Sequence, residues 1–251
     1  MTKLIVVFDS GVGGFSILRE ILEKKIGQKI IYIADQAQFP YGTKSSAWIN
    51  RRLIRLINYL LPLSPSALVL ACNTATVSGV HALRQMVQFP IIGVEPVIKP
   101  LAKFSKSLLL ATRGTVDSPH TSRLVKKYGV NVILHTPKGL VSAIEEMDQA
   151  KILDSITHLR ELVKKEKLQA IGLSCTHYPL VLADLKKTFP SVMLLDPSQA
   201  VVRQLVKVLE LPLGSIKESK LEFFTTGQVL KLNTQVQSYL RLKVSAKKII
   251  L

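Results

Sequence analysis

Ala67-Leu68-Val69-Leu70-Ala71-Cys72-Asn73-Thr74 and Ala170-Ile171-Gly172-Leu173-Ser174-Cys175-Thr176-His177 are two versions of one local pattern. In each, a short apolar run with strand character breaks at a small residue, then a cysteine, then side chains that hydrogen-bond. These are the two cysteines of a 251-residue chain. Open α/β sheets place ligand-contacting groups at the carboxyl ends of buried strands. Two thiols at matching strand ends predict one site with a sulfur on each side. That layout suits taking a proton from one face of a carbon and returning one to the other.

The likeness between the halves extends outward. Leu4-Ile5-Val6-Val7-Phe8-Asp9 parallels Leu108-Leu109-Leu110-Ala111-Thr112, and sixty-three positions separate Asp9 from Cys72 and Thr112 from Cys175. A helical stretch follows each cysteine and ends in Phe-Pro (Phe89-Pro90, Phe189-Pro190). An apolar strand then closes in acid-Pro, at Glu95-Pro96 and Asp196-Pro197. Strands alternating with amphipathic helices predict βαβ units and parallel sheets. The expected fold class is α/β: two pseudo-symmetric lobes, roughly 1–95 and 96–207, with the site in the cleft between them.

The spacing predicts strands at 4–8, 29–34, 67–71 and 91–94 in the first lobe, with helices at 15–25, 47–61 and 75–87. In the second it predicts strands at 107–111, 130–135, 169–173 and 192–195, with helices at 118–128, 140–147, 151–166 and 179–188. A helix at 198–210 leads through Leu211-Pro212-Leu213-Gly214 to a strand at 221–224 and a helix at 228–240. The loop 35–46 is long enough to be functional rather than a plain connector.

Hydrophobic residues make up 47% of the chain, ample for packed cores. No apolar run approaches the roughly 18–20 residues of a membrane span, and Leu4 enters a strand without a secretory signal before it. Two cysteines in such a context are expected to be reduced thiols, and a cytoplasmic location is expected. There are 34 Lys and Arg against 17 Asp and Glu, a formal charge of +17. The excess is spread along the chain with no basic tail, and many of the lysines fall on helix faces. Such a surface raises encounter rates with small anions and favours weak nucleic-acid binding at low salt. No zinc-finger spacing or RNA-binding aromatic motif accompanies it. The histidines His81, His120, His135 and His158 form no pair with metal-ligand spacing, so no metal is expected.

Asp9-Ser10-Gly11-Val12-Gly13-Gly14 sits between a strand and a helix, where glycines let backbone N–H groups approach an anion. It lacks both the Gly-Lys-Ser/Thr of a P-loop and a full dinucleotide fingerprint. With Pro40-Tyr41-Gly42, Ala71-Cys72-Asn73-Thr74-Ala75-Thr76, Gly93-Val94-Glu95-Pro96 and Cys175-Thr176-His177-Tyr178-Pro179-Leu180 it makes an ordered set. Leu110-Ala111-Thr112-Arg113-Gly114-Thr115-Val116 and Phe223-Phe224-Thr225-Thr226-Gly227 complete it. Together they resemble the glutamate racemases of bacterial cell-wall synthesis, over essentially the whole chain.

The resemblance implies a cofactor-free, two-base enzyme that interconverts L- and D-glutamate and supplies D-glutamate for peptidoglycan. It implies that the C-terminal segment returns to the first lobe, giving domains of 1–95 plus 208–251 (the Cys72 side) and 96–207 (the Cys175 side). Carried over, Cys72 deprotonates D-glutamate and Cys175 deprotonates L-glutamate, with Asp9 and His177 as the neighbours that tune them. Ser10, Tyr41, Gly42, Asn73, Thr74 and Thr176 would hold the polar groups of the amino acid, together with Asp9 and His177. An acidic helper falls at Glu145, with Glu146 adjacent. The chain departs from the pattern at Ser174, where many members carry Gly, and at Thr121, where many carry Tyr. A thiol has an ordinary pKa of about 8.5 and is retuned readily by a nearby charge, which suits either role. The expected partner is the small-molecule substrate. A homodimer is admitted, and no membrane contact or nucleic-acid binding beyond weak electrostatics is expected. The alternatives are a racemase of another amino acid such as aspartate, a one-thiol decarboxylase, which the second cysteine argues against, and a secondary role in binding nucleic acid or DNA gyrase.

Overall fold

In a computed structural model, which describes residues 3–26, 29–129, 131–211, 214 and 219–251, the chain forms two parallel sheets. In chain order the strands are β1 (Leu4–Asp9), β2 (Lys29–Ala34), β3 (Ala67–Leu70), β4 (Ile91–Gly93) and β5 (Ser107–Ala111), then β6 (Val132–His135), β7 (Ala170–Ser174), β8 (Met193–Leu195), β9 (Lys220–Thr225) and β10 (Lys247–Lys248). The first sheet runs β10-β9-β2-β1-β3-β4 and the second β6-β5-β7-β8. The order β2-β1-β3-β4 thus recurs as β6-β5-β7-β8, so the two halves share one topology. All of these pairings are parallel.

Period-two alternation explains why these sheets are buried on both faces. Ile5 and Val7 of β1 join one core with Phe15, Tyr32 and Phe223, while Val6 and Phe8 join another with Leu53, Leu68 and Leu70. In the second sheet Leu108 and Leu110 face Ile144 and Leu185, while Leu109 and Ala111 face Ile98 and Leu101. Each such side chain contributes about 1.5–3 kcal/mol by leaving water. Helix starts follow local chemistry. Ser45 accepts from the Trp48 N–H ahead of Ser46–Leu60, Ser118 from Thr121 ahead of Pro119–Tyr128, and Asp148 from Lys151 ahead of Gln149–Thr157.

The structure differs from the sequence reading in a few places. The boundary at 207/208 cuts through the helix Ser198–Leu209, whose Val201, Val202, Leu205 and Leu209 pack with Ile5, Val7 and Phe15 of the first lobe. We therefore propose that the chain returns to the first lobe near residue 197. The stretch 151–166 is two helices, Gln149–Thr157 and Leu159–Glu166, meeting at His158. Loop 35–46 carries two short 3-10 turns, Gln36–Gln38 and Tyr41–Thr43. The short helices Ile98–Leu101 and Arg113–Val116 and the edge strand β10 carry too few residues for a periodic signal. Pro212 and Leu213 of the expected connector, and Val130 of the expected strand, lie outside the described residues. Among the described residues no helix is long and apolar enough to cross a membrane.

Candidate active site

Parallel strands deliver their carboxyl ends to one edge of a sheet, and here the two edges face each other. Asp9 ends β1, Cys72 follows β3, Thr112 follows β5 and Cys175 follows β7. All four line one small cavity, with about 20 Å³ of free volume, together with Ser10, Tyr41, Gly42, Asn73, Thr74, Thr176 and His177. The structure thus brings together every expected thiol, tuning group and substrate-binding residue. Phe39, Pro40, Thr112 and Val141 line the cavity as well, and the sequence reading did not assign them.

The two thiols are both buried, yet their settings differ. Cys72 occupies the N-cap position of the helix Asn73–Arg84, and Ser10 Oγ lies 3.8 Å from its sulfur. Burial and the nearby Asp9 carboxylate push the Cys72 thiol up to about 12, and Cys175 adds to the effect through its charge. Cys72 is therefore a neutral thiol at rest. Cys175 Sγ instead lies 3.8 Å from His177 Nδ1. Burial opposes the His177 imidazolium, but the Cys175 sulfur and the Glu145 carboxylate outweigh it and raise His177 well above the ordinary histidine range. The charge next to Cys175 is positive, that next to Cys72 negative.

Glu145, not Glu146, is the buried acid. Its Oε2 lies 2.9 Å from His177 Nε2 and accepts the Val12 N–H at 3.0 Å, while Oε1 accepts from Gln36 Nε2 at 2.7 Å. Burial raises this carboxyl, and the His177 contact more than reverses that, holding it below the ordinary range. Glu146 is exposed and pairs with Lys231 at 2.6 Å. Asp9 is fully buried: Oδ1 accepts from the Gly11 N–H at 2.9 Å and Oδ2 from Thr176 Oγ1 at 2.8 Å, a bond between the lobes. Burial pushes its carboxyl up against the pull of His177 and the Gly11 N–H.

The glycine-rich turn has a role its sequence did not reveal. A Cβ on Gly11 would stand 2.3 Å from Glu145 Oε2, and one on Gly13 would stand 2.5 Å from both His177 Nδ1 and Thr176 Oγ1. The missing side chains let the second lobe's acid and imidazole dock onto the first lobe's turn. Asn73 Nδ2 donates to the Val94 carbonyl at 3.1 Å, leaving Oδ1 as a buried acceptor without a partner among the described residues. Ser174, the departure from the resembled pattern, ends β7 with its hydroxyl accepting the Val97 N–H at 3.0 Å. It ties the crossover segment to the strand that carries Cys175. Thr121 is buried and donates to the Thr115 carbonyl at 2.6 Å, away from the cavity lining. Among the described residues no cluster of three or more His, Cys, Asp or Glu is arranged to hold a metal.

The family model described as Asp/Glu/Hydantoin racemase matches residues 9–205. The chain belongs to this family. It is 39% identical over 212 residues to the glutamate racemase of Ectopseudomonas mendocina, covering 81% of each chain. Its fold is similar to the crystal structure of a glutamate racemase isoform from Bacillus anthracis, with a TM-score of 0.86 and 27% identity over 99% of this chain and 98% of that one. It is also similar to the glutamate racemase of Francisella tularensis in complex with D-glutamate, with a TM-score of 0.83 and 26% identity over 100% of this chain and 98% of that one. For this racemase-family chain, the paired thiols become the natural candidates for the acid and base.

Proposed function

We propose that the chain is a glutamate racemase in which Cys175 and Cys72 act on opposite faces of the α-carbon. The observation that carries the mechanism is the placement of two thiols at equivalent strand ends of two lobes, around one cavity, beside charges of opposite sign. Racemisation needs a base on one face, an acid on the other and stabilisation of the carbanion-like state between them. With His177 protonated, a thiolate at Cys175 is ion-paired and serves as the base. Cys72 holds its proton and serves as the acid.

In the L-to-D direction, Cys175 takes the α-proton, the electron pair resides on the α-carbon and carboxylate, and Cys72 delivers its proton to the other face. Cys175 ends as the thiol and Cys72 as the thiolate, the pair that the reverse reaction starts from. Asn73 and Thr74 bring the N-terminus of the helix Asn73–Arg84 to the cavity, a natural seat for a carboxylate. The Thr74 hydroxyl adds a donor, and Asn73 Oδ1, which has no partner among the described residues, accepts from the ammonium. Among the described residues no Arg or Lys lines the cavity, so substrate recognition rests on short hydrogen bonds.

The test is the circular dichroism of L-glutamate incubated with enzyme that has been treated with chelator and dialysed. The ellipticity decays to zero if the reading is right. Activity only after pyridoxal phosphate or metal is restored would overturn it, and activity on aspartate alone would move the assignment to another racemase.

A further inference from the structure

Outside the catalytic cavity, the first lobe carries a second pocket of about 450 Å³, lined by Gln38, Trp48, Arg51, Arg52, Ile54 and Arg55. It lies against the helix Ser46–Leu60 and the turn Gln36–Gln38. Among the described residues, three guanidinium groups and no carboxylate line it. Arg52 is spoken for: Nε and Nη2 donate to Asp35 at 2.7 and 2.6 Å, and a further nitrogen donates to the Leu251 carbonyl. Arg51 and Arg55 form no ion pair among the described residues, and neither does Lys44, whose ammonium sits 5.5 Å over the Trp48 ring.

From this we infer that the pocket is a binding site for a small phosphate-bearing anion, separate from the racemase site. Guanidinium forks match phosphate oxygens in a bidentate manner, and Arg is less strongly hydrated than Lys. Arg51 and Arg55 are four residues apart, which puts them on one helix face about 5–6 Å apart at Cβ. That spacing suits a ligand with two phosphoryl groups, one per fork. The Gln38 amide adds a donor and the Trp48 indole an apolar flank. Two unpaired like charges one turn apart repel each other in the empty site, and a bound anion removes that cost.

Occupancy reaches the catalytic cavity through Arg52. Asp35 is fully buried and held by Arg52, by Thr226 Oγ1 at 2.7 Å and by the Tyr41 hydroxyl at 2.5 Å, and Tyr41 lines the catalytic cavity. A phosphate beside Arg52 competes with Asp35 for the same donors. That loosens the Asp35–Tyr41 bond and weakens glutamate binding.

The probe is inorganic pyrophosphate, titrated calorimetrically into the full chain at fixed ionic strength. Arg51→Ala/Arg55→Ala is compared with Lys164→Ala/Lys165→Ala, which removes the same charge from an exposed helix of the other lobe. The site predicts binding that weakens by roughly tenfold or more in the arginine variant, about 1.4 kcal/mol per tenfold, and that persists in the lysine variant. The calorimetric arm stands without the catalytic reading. In the racemase assay pyrophosphate should raise KM for the wild type and the lysine variant but not for the arginine variant, whose basal activity is unchanged. Equal weakening in both variants would mean diffuse charge only, and inhibition that survives in the arginine variant would place pyrophosphate in the catalytic cavity. A short DNA duplex that binds where pyrophosphate does not would assign the arginines to nucleic acid. Each of these three outcomes overturns the proposal.

Discussion

Cys72 and Cys175 carry the same functional group, and their neighbours decide which one starts as acid. Burial and Asp9 keep the proton on Cys72, whereas the His177 imidazolium faces Cys175. The equilibrium constant of a racemisation is one, so kcat/KM is equal in both directions whichever thiol is impaired. Direction-specific roles must be read from a substrate that escapes before reprotonation, such as glutamate bearing a β-leaving group. Elimination from it needs only the abstracting base. Cys72→Ser should lose elimination from the D-isomer and keep much of that from the L-isomer, with the reverse for Cys175→Ser. Equal loss of both isomers in both variants would contradict the assignment. Glu145 acts one step back, by holding His177 charged. Its replacement in Glu145→Gln removes the carboxylate, leaving burial to lower the His177 pKa against the Cys175 sulfur alone. Because the folded value now lies above the ordinary one, the imidazolium survives past neutrality in the wild type. In the variant it is lost at lower pH. The alkaline limb of the kcat/KM profile should move down by about 1–3 units, and an unmoved limb would mean His177 is not charged in the working enzyme.

The turn between β1 and the helix Phe15–Glu23 shows how an element serves the site. Its glycines leave room for Glu145, Thr176 and His177 of the other lobe, and the Tyr32 hydroxyl braces the turn by donating to the Gly11 carbonyl at 2.7 Å. Gly13→Ala would put a Cβ where His177 Nδ1 and Thr176 Oγ1 now approach. Displacing such groups by about 1 Å can cost on the order of 100-fold. The expected result is a fall of that size in kcat with far-UV circular dichroism unchanged, and wild-type kcat would show that the turn is not part of the working geometry. The sequence showed that these glycines open a strand-to-helix turn. It could not show what fills the space they leave, because Glu145 and His177 are more than 130 and 160 positions away in the chain. The helix Ser198–Leu209 teaches a similar lesson. An apolar stripe at helical spacing reports that a face is buried but not against which sheet, which is why we propose moving the lobe boundary to the start of that helix.

At the scale of the molecule, repetition made the fold legible. Matching strand ends and equal spacings predicted two lobes, and four of the first sheet's six strands, β2-β1-β3-β4, match the order of the second sheet. Most cavity residues were legible too, because they cluster at the ends of strands in short motifs. Thr112 was visible as the counterpart of Asp9 yet was not assigned, since a threonine there names no chemistry by itself. The network of Asp35, Arg52 and Thr226 was not legible, because it joins groups as far as 191 positions apart. The cavity as it stands has room for little more than a water molecule, so glutamate enters only when the lobes part. The contacts that must yield across the cleft include Thr176 to Asp9, the Val12 N–H and Gln36 to Glu145, Thr74 to Thr112, and Gln235 Nε2 to the Glu145 carbonyl at 2.6 Å. Two lobes, each supplying one thiol to one face of the substrate carbon, is the central claim. Its most direct test is L-glutamate incubated with the enzyme in deuterium oxide and sampled by mass spectrometry before equilibrium. The account predicts one α-deuterium in the D-glutamate formed and none in the L-glutamate recovered. D-glutamate that retains the original α-hydrogen, or deuterium entering L-glutamate as fast as D-glutamate forms, would point to a single base serving both faces and contradict it.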